Sequence, residues 1–227
     1  MPEFTTTQFT TTQAINAVLN IPAGRVQFVA TDRADTVVEV LPANAAKSRD
    51  VKAADEAQVS YADGVLRVEV VARNQYFGPS GAVAVTVQFP TGSRAEVRSA
   101  SVELRATGRL GDVIVESAQG PIELADVTSA RITSSASDVT VGRLNGPAEI
   151  RTSKGDIRIT EAVRGDLVLR TDVGDVEVVA APGVSGTLDA GTSTGRIDNA
   201  LKNSVGAAAE LTVHATTAVG DIVARSL

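Results

Sequence analysis

From residue 111 onward the chain alternates apolar and polar residues in short bursts, each opened by a small residue that Asp often follows. In "KGDIRIT" and "VGDVEVV" the residues Ile157, Ile159, Val176 and Val178 share one parity, and Arg158 and Glu177 the other. Alternation with a period of two marks a half-buried strand. The bursts fall into two interleaved series. One opens at Gly111, Ala130, Gly146, Gly165, Gly186 and Ala209, the other at Gly120, Ser137, Gly155, Gly174, Gly195 and Gly220. Within a series the step is 16 to 25 residues, most often about 19.

Self-similarity at a fixed period of about twenty residues is the signature of a solenoid. A coil of two short strands cannot bury its apolar row alone, so coils stack and equivalent inward positions form ladders. The pattern predicts one ladder of Val113, Ile132, Ala148, Leu167, Leu188 and Leu211, and a second of Ile122, Val139, Ile157, Val176, Ile197 and Ile222. The expected fold is all-β: a single-domain β-solenoid over 1–227, with two short strands per coil of about 19 residues. Coils in 111–227 should be regular and those in 1–110 irregular.

In that first part "GRVQFVATDRADTVVEVLP", "DGVLRVEVV" and "GAVAVTVQFP" read as strands. "ANAAKSRDVKAADEA" reads as a loop or short helix inserted near 43–58, and "RNQYFGPSG" as a long turn. The aromatic residues all precede residue 90, so the remaining 138 residues build their interior from Val, Ile, Leu and Ala. Two facing ladders of small aliphatics leave a thin interior with no room for rings.

The recurrent Gly-Asp pairs admit a chemical and an architectural reading. Asp112, Asp138, Asp156, Asp166, Asp175 and Asp221 follow six of the twelve small residues that open the two series. Architecture needs the same residue at every turn and chemistry does not. Gly supplies a backbone conformation denied to other residues, and Asp can bond to the amides of its own turn. These six are expected to be structural turn residues. A calcium roll would need Gly-Gly-x-Gly-x-Asp in tandem, and those glycine pairs are missing. His214 is the only histidine and takes the outward parity, and no Gly-x-Ser-x-Gly turn offers a nucleophile. No catalytic residue, metal ligand or cofactor is therefore expected.

A net charge of −6 argues against nucleic acid as a partner. Cysteine is absent, so nothing points to an oxidising compartment. The start "MPEFTTTQFTTTQ" has no basic region followed by an apolar run, and no apolar stretch is long enough for a membrane helix. A cytoplasmic protein is expected, or an exported one if a leader has been removed.

The order "LNIPAGRVQ", "DTVVEVLP", "YADGVLRV" and then repeated Gly-Asp-[Val/Ile]-x-[Val/Ile] resembles the bacterial "putative adhesin" family of β-strand-repeat domains of unknown function. The resemblance covers nearly the whole chain. It implies a β-solenoid and carries no defined catalytic residues.

The expected role is a non-enzymatic scaffold or protein-interaction module. The alternatives are a surface adhesin binding glycan or protein, and a polysaccharide-acting hydrolase or lyase. A small-molecule substrate is not expected. Partners are another protein, or a second copy joined through the coil ends as a dimer or filament. Candidate contact residues are Tyr76 and Phe77, in a Gly/Pro turn, and Val223, on a final strand that nothing in the sequence caps.

Overall fold

The computed structural model describes residues 5–70 and 81–227. Its contacts gather into two compact units, one ending at Gly120 and the other beginning at Pro121. Tyr76 and Phe77 lie outside the described residues.

The first unit is built on two long strands, β2 (Asn16–Thr31) and β7 (Arg94–Gln119). The two run parallel from Asn16 beside Arg94 to Val29 beside Thr107. Pro22, Ala23 and Gly24 divide β2 between two sheets. Gly24 has φ +143°, and a Cβ there would lie 1.8 Å from the Val83 carbonyl oxygen, so only glycine fits. Before this corner β2 pairs with β5 (Val65–Glu69), which pairs antiparallel with β4 (Gln58–Ala62). Asp63 and Gly64, with φ of 51° and 76°, form the two-residue hairpin turn between them. After the corner β2 pairs with β6 (Val83–Pro90), which is followed outward by β3 (Asp35–Pro42) and β1 (Thr5–Thr10).

Aromatics fill this wider interior. Phe28 and Phe89 are fully buried with ring centroids 5.5 Å apart. The inserted segment holds a helix, α1 (Ser48–Asp55), packed on β3 and β6. Its buried Asp50 accepts the Ala82 amide at 3.0 Å and so pins the start of β6. The Thr-rich amino segment covers the edge of β3 within its own chain, and Phe9 packs on Tyr61 at 5.3 Å.

The second unit contains the regular coils. Its strands are β8 (Ile122–Ala136), β9 (Val139–Leu144), β10 (Ala148–Arg151), β11 (Ile157–Ala162) and β12 (Gly165–Arg170). They continue with β13 (Val176–Ala180), β14 (Gly186–Thr194), β15 (Ile197–Ala200), β16 (Leu211–Val219) and β17 (Ile222–Ser226). All pairings among them are parallel. One sheet runs β8, β10, β12, β16, β14, and the other β8, β9, β11, β13, β17, β15.

Both orders break the chain order at the same place. The last coil, β16 with β17, sits between the coil of β12 and β13 and the coil of β14 and β15. The repeat alone predicted consecutive stacking, with β17 at the open end. The inward residues explain the insertion. The last coil brings Leu211, Val213, Ala215, Ile222 and Ala224, all at most 1% exposed. The coil before it carries Asn199 in the row that Leu124, Val141, Ile159, Val178 and Ala224 occupy elsewhere. An amide buried there without partners costs roughly 1–3 kcal/mol, so this coil belongs where one side stays wet.

Two predicted registers shift by two residues. Ala130, not Ile132, pairs with Ala148, and Val213, not Leu211, pairs with Leu167 and Leu188. An even shift leaves the faces unchanged, so the inward and outward assignments survive. Ile197 does not stay buried. It is 46% exposed, where its equivalents Ile157 and Val176 are at most 1%.

The insertion makes a distinct prediction for amide hydrogen exchange. Amides of β16 and β17 should exchange as slowly as those of β11 and β13, while β14 and β15 exchange fastest among the coils of this unit. Faster exchange in β17 than in β15 would restore consecutive stacking.

Candidate functional site

One wall of the second unit is a column of corners with the pattern Thr/Ser-x-x-Gly/Ser-Asp. It reads Thr152 to Asp156, Thr171 to Asp175 and Thr217 to Asp221, with Ser134 to Asp138 at the start. In stack order the corner glycines are Gly155, Gly174, Gly220 and Gly195, with φ of 128°, 148°, 151° and 153°. A Cβ on Gly174 would lie 2.2 Å from the Gly155 oxygen, and one on Gly220 2.0 Å from the Gly174 oxygen. Both dihedral and space demand glycine.

Each Asp carboxylate reaches one coil along the stack. Asp138 Oδ1 accepts the Asp156 amide at 3.0 Å, Asp156 Oδ1 the Asp175 amide at 2.9 Å, and Asp175 Oδ1 the Asp221 amide at 2.7 Å. The sequence reading placed these bonds within each Asp's own turn. The structure places them between coils, because a stacked corner brings the next amide, and not its own, in line with the carboxylate. The Thr hydroxyls complete the lock. Thr171 donates to the Gly155 oxygen, Thr217 to the Gly174 oxygen and Thr192 to the Gly220 oxygen, each at 3.0 Å.

The column ends at Arg196, which stands where the other coils carry Asp. Asp221 accepts its amide at 2.8 Å and its guanidinium at 3.1 Å. The Arg196 amide, then its guanidinium, hold the Asp221 carboxyl below the usual carboxylate range. Asp112 and Asp166 are not corner residues. They belong to the series that opens at Gly111 and lie within β7 and β12, on exposed outward positions.

Beside the column lies a shallow groove of about 420 Å³ that brings Asp156, Asp175, Asp221 and Val223 together with Arg158, Glu177 and Arg225. Glu177 is its electrostatic centre, accepting Arg158 at 2.8 Å and Arg225 at 3.0 Å. The Arg158 hydrogen bond, reinforced by Arg225, holds the Glu177 carboxyl low. Its charges are engaged with one another. Among the described residues no group of three or more His, Cys, Asp or Glu is placed to hold a metal ion. His214 faces outward between Val168 and Asp189, with Nδ1 3.3 Å from Asp189 Oδ2.

Val223 was expected on an open edge, and the structure corrects this. It sits on β17 between Glu177 of β13 and Asp198 of β15. The open edges belong instead to β14 and β15. Among the described residues, β14 pairs only with β16 and β15 only with β17.

With this geometry in hand, the profile of the Toastrack DUF4097 family matches residues 18–226. The chain belongs to this family. A "putative adhesin" from Parabacteroides distasonis shares 13% identity with this Toastrack chain over 97% of each chain, with a TM-score of 0.54. Another from Bacteroides fragilis shares 12% over 99% of this chain and 98% of that one, with a TM-score of 0.50. A "putative lipid binding protein" from Parabacteroides distasonis shares 12% over 97% and 96%, with a TM-score of 0.49. At such identities the likeness concerns the fold alone. No curated protein matches the chain. Among the described residues no helix is long and apolar enough to cross a membrane.

The Thr three residues before each corner Gly escaped the sequence reading, although "TSKGD", "TDVGD" and "TAVGD" display it openly. At Thr171 and Thr217 the hydroxyl bonds to the neighbouring coil, whereas that of Thr152 donates to the Lys154 oxygen of its own corner.

Two tests follow from the Toastrack corner. Gly174→Ala should lower the melting temperature by several degrees or prevent folding, because the new methyl meets a carbonyl oxygen at a strained φ. Near-wild-type melting would remove the corner from its structural role. A carboxylate held low in the folded state adds stability above the unfolded value of about 4.3 for Glu, and loses it as pH falls through the folded value. Stability should therefore hold from pH 7 to about 5 and decline below about 4, and Glu177→Gln should flatten that decline. Equal acid slopes in both proteins would show that the Arg158–Glu177–Arg225 cluster contributes nothing.

Proposed function

We propose that this Toastrack chain is a non-enzymatic interaction module that engages other proteins, further copies included, through its end coil of β14 and β15. One observation carries the reading. The equivalent inward residues Ile122, Val139, Ile157, Val176 and Ile222 are at most 1% exposed, yet Ile197 stands 46% exposed on a strand with an unpaired edge. Open edges are normally shortened, charged or covered, since they template pairing with another chain. Leu188 and Leu201 of the same coil are half-buried, and Val205 beside it is 53% exposed.

The adhesin names of the two structurally similar proteins fit a role in binding rather than turnover. The described carboxylates of the groove also favour it, since amides and guanidinium groups already hold them.

A photo-crosslinking amino acid at Ser193, on β14, tests the reading in living cells against the same residue at Asp166, on the middle of a sheet face. Ser193 should give a discrete adduct that Ile197→Lys abolishes, and Asp166 should give none. An adduct of twice the chain's mass identifies a second copy, and any other mass a different partner. No adduct at Ser193, or equal adducts at both positions, would overturn the proposal.

A further inference from the structure

Resting on the reading of the end coil as the docking surface, we infer that its occupant is an extended segment of a partner protein that adds to β14 as a strand, alternating aliphatic and basic residues. The hydrogen-bond phase of β14 defines the open groups. The Ser185 oxygen accepts the Leu211 amide, and Gly186 pairs in register with Leu211. In a parallel ladder alternate residues face alternate neighbours. Thr187 and Asp189 thus face β16, and Leu188 and Ala190 turn their N–H and C=O groups outward. Gly186 is already satisfied by the Lys202 oxygen, so the open stretch begins at Leu188. The same reasoning on β15, where Ile222 donates to the Arg196 oxygen, leaves Ile197 and Asn199 turned out.

Side-chain chemistry selects the incoming strand. A strand beside β14 places every second residue over the half-buried Leu188 and Ala190, which calls for aliphatics. Its alternate residues flank Asp189, 83% exposed and, among the described residues, reached by the His214 imidazole from the other side. On the other sheet the matching outward residue of β15 is the exposed Asp198. Opposite charges across neighbouring strands attract and like charges oppose pairing, so Lys or Arg fits at these places.

The corner argues against a further stacked coil. A coil laid on this end would need a carboxylate to accept its corner amide, as Asp175 accepts that of Asp221. Position 196 offers Arg instead, and that side chain turns back onto Asp221. A strand with no corner makes no such demand. The nine residues of β14 give it a long enough track.

The test uses two fluorescent nine-residue peptides, one alternating Val and Lys and the other Val and Glu, titrated into the purified full chain and read by anisotropy. The Val-Lys peptide should bind at least tenfold tighter. Because the chain carries a net charge of −6, a basic peptide is drawn to it anywhere, so a charge-neutral variant must discriminate. Ala190→Pro removes one outward N–H and spares the internal ladder, since proline is tolerated on an edge. It should weaken Val-Lys binding at least tenfold. Should that variant not fold, hydrogen exchange in the unaltered chain decides: the peptide must slow the amides of Leu188 and Ala190 selectively. Equal affinities, indifference to Ala190→Pro, or unchanged exchange at those amides would overturn the inference. If crosslinking at Ser193 persists in that event, the end coil still docks a partner of other chemistry. If it is lost too, the docking surface itself falls.

Discussion

The second unit depends on one contact, the approach of each corner glycine to the carbonyl of the coil beside it. Stacked parallel strands are separated by a fixed hydrogen-bond spacing of about 4.8 Å. A chain that turns sharply at that spacing brings backbone against backbone, closer than a methyl group allows. Once glycine is imposed there, the neighbouring positions acquire their chemistry. The residue after it can send a carboxylate to the next amide, and the residue three before it can send a hydroxyl to the carbonyl just passed. Two exposed or half-exposed hydrogen bonds of about 1 kcal/mol each are small alone, but one or both recur from corner to corner and fix the same register along the stack. The aliphatic ladders supply the driving force, and the corner supplies the alignment.

The period, the parity and the corner were legible in the sequence because each is a short-range property. Ile157, Val176 and Ile222 fall in one row by simple counting from the Gly-Asp pairs. Where the corner lacks such a marker, counting drifted. Ile132 and Leu211 were placed two residues out of register because Ala130 and Ala209 are weaker markers than glycine. The drift was even, so parity protected the face assignments. The partner of each Asp was not legible, since a carboxylate beside a turn amide and one beside the next coil's amide leave the same sequence.

Stacking order was illegible for a different reason. A repeat specifies which surfaces match but not which copies meet. β12 matches either β14 or β16 in pattern, and the structure chooses β16. The decisive residue is Asn199, a single polar substitution in an otherwise aliphatic row. Its meaning emerges from comparison along the row, where burial on both sides would strand an amide. In the first unit, by contrast, the long β2 serves both sheets and hides its corner within "IPAG", so strands and the inserted helix were readable there but the switch between sheets was not.

The two units handle their outermost strands in opposite ways. In the first, β1 and β4 carry no charged residue, yet Phe9 of one packs on Tyr61 of the other, and the rings tie the two edges together. In the second, β14 and β15 have no aromatic to join them and hold Asp189 and Asp198 instead, with Arg196 at the corner between them. Charges of this kind keep an edge from pairing at random, and they impose a condition on whatever pairs with it. The aliphatic row beneath them remains under-covered, with Ile197 and Leu188 reachable from solvent. An edge that is apolar along one row and acidic along the other discriminates among incoming strands by both rows at once. Specificity then resides in the coil that the last repeat pushes outward, and the polar Asn199 that keeps this coil from the interior is also what holds its edge at the surface.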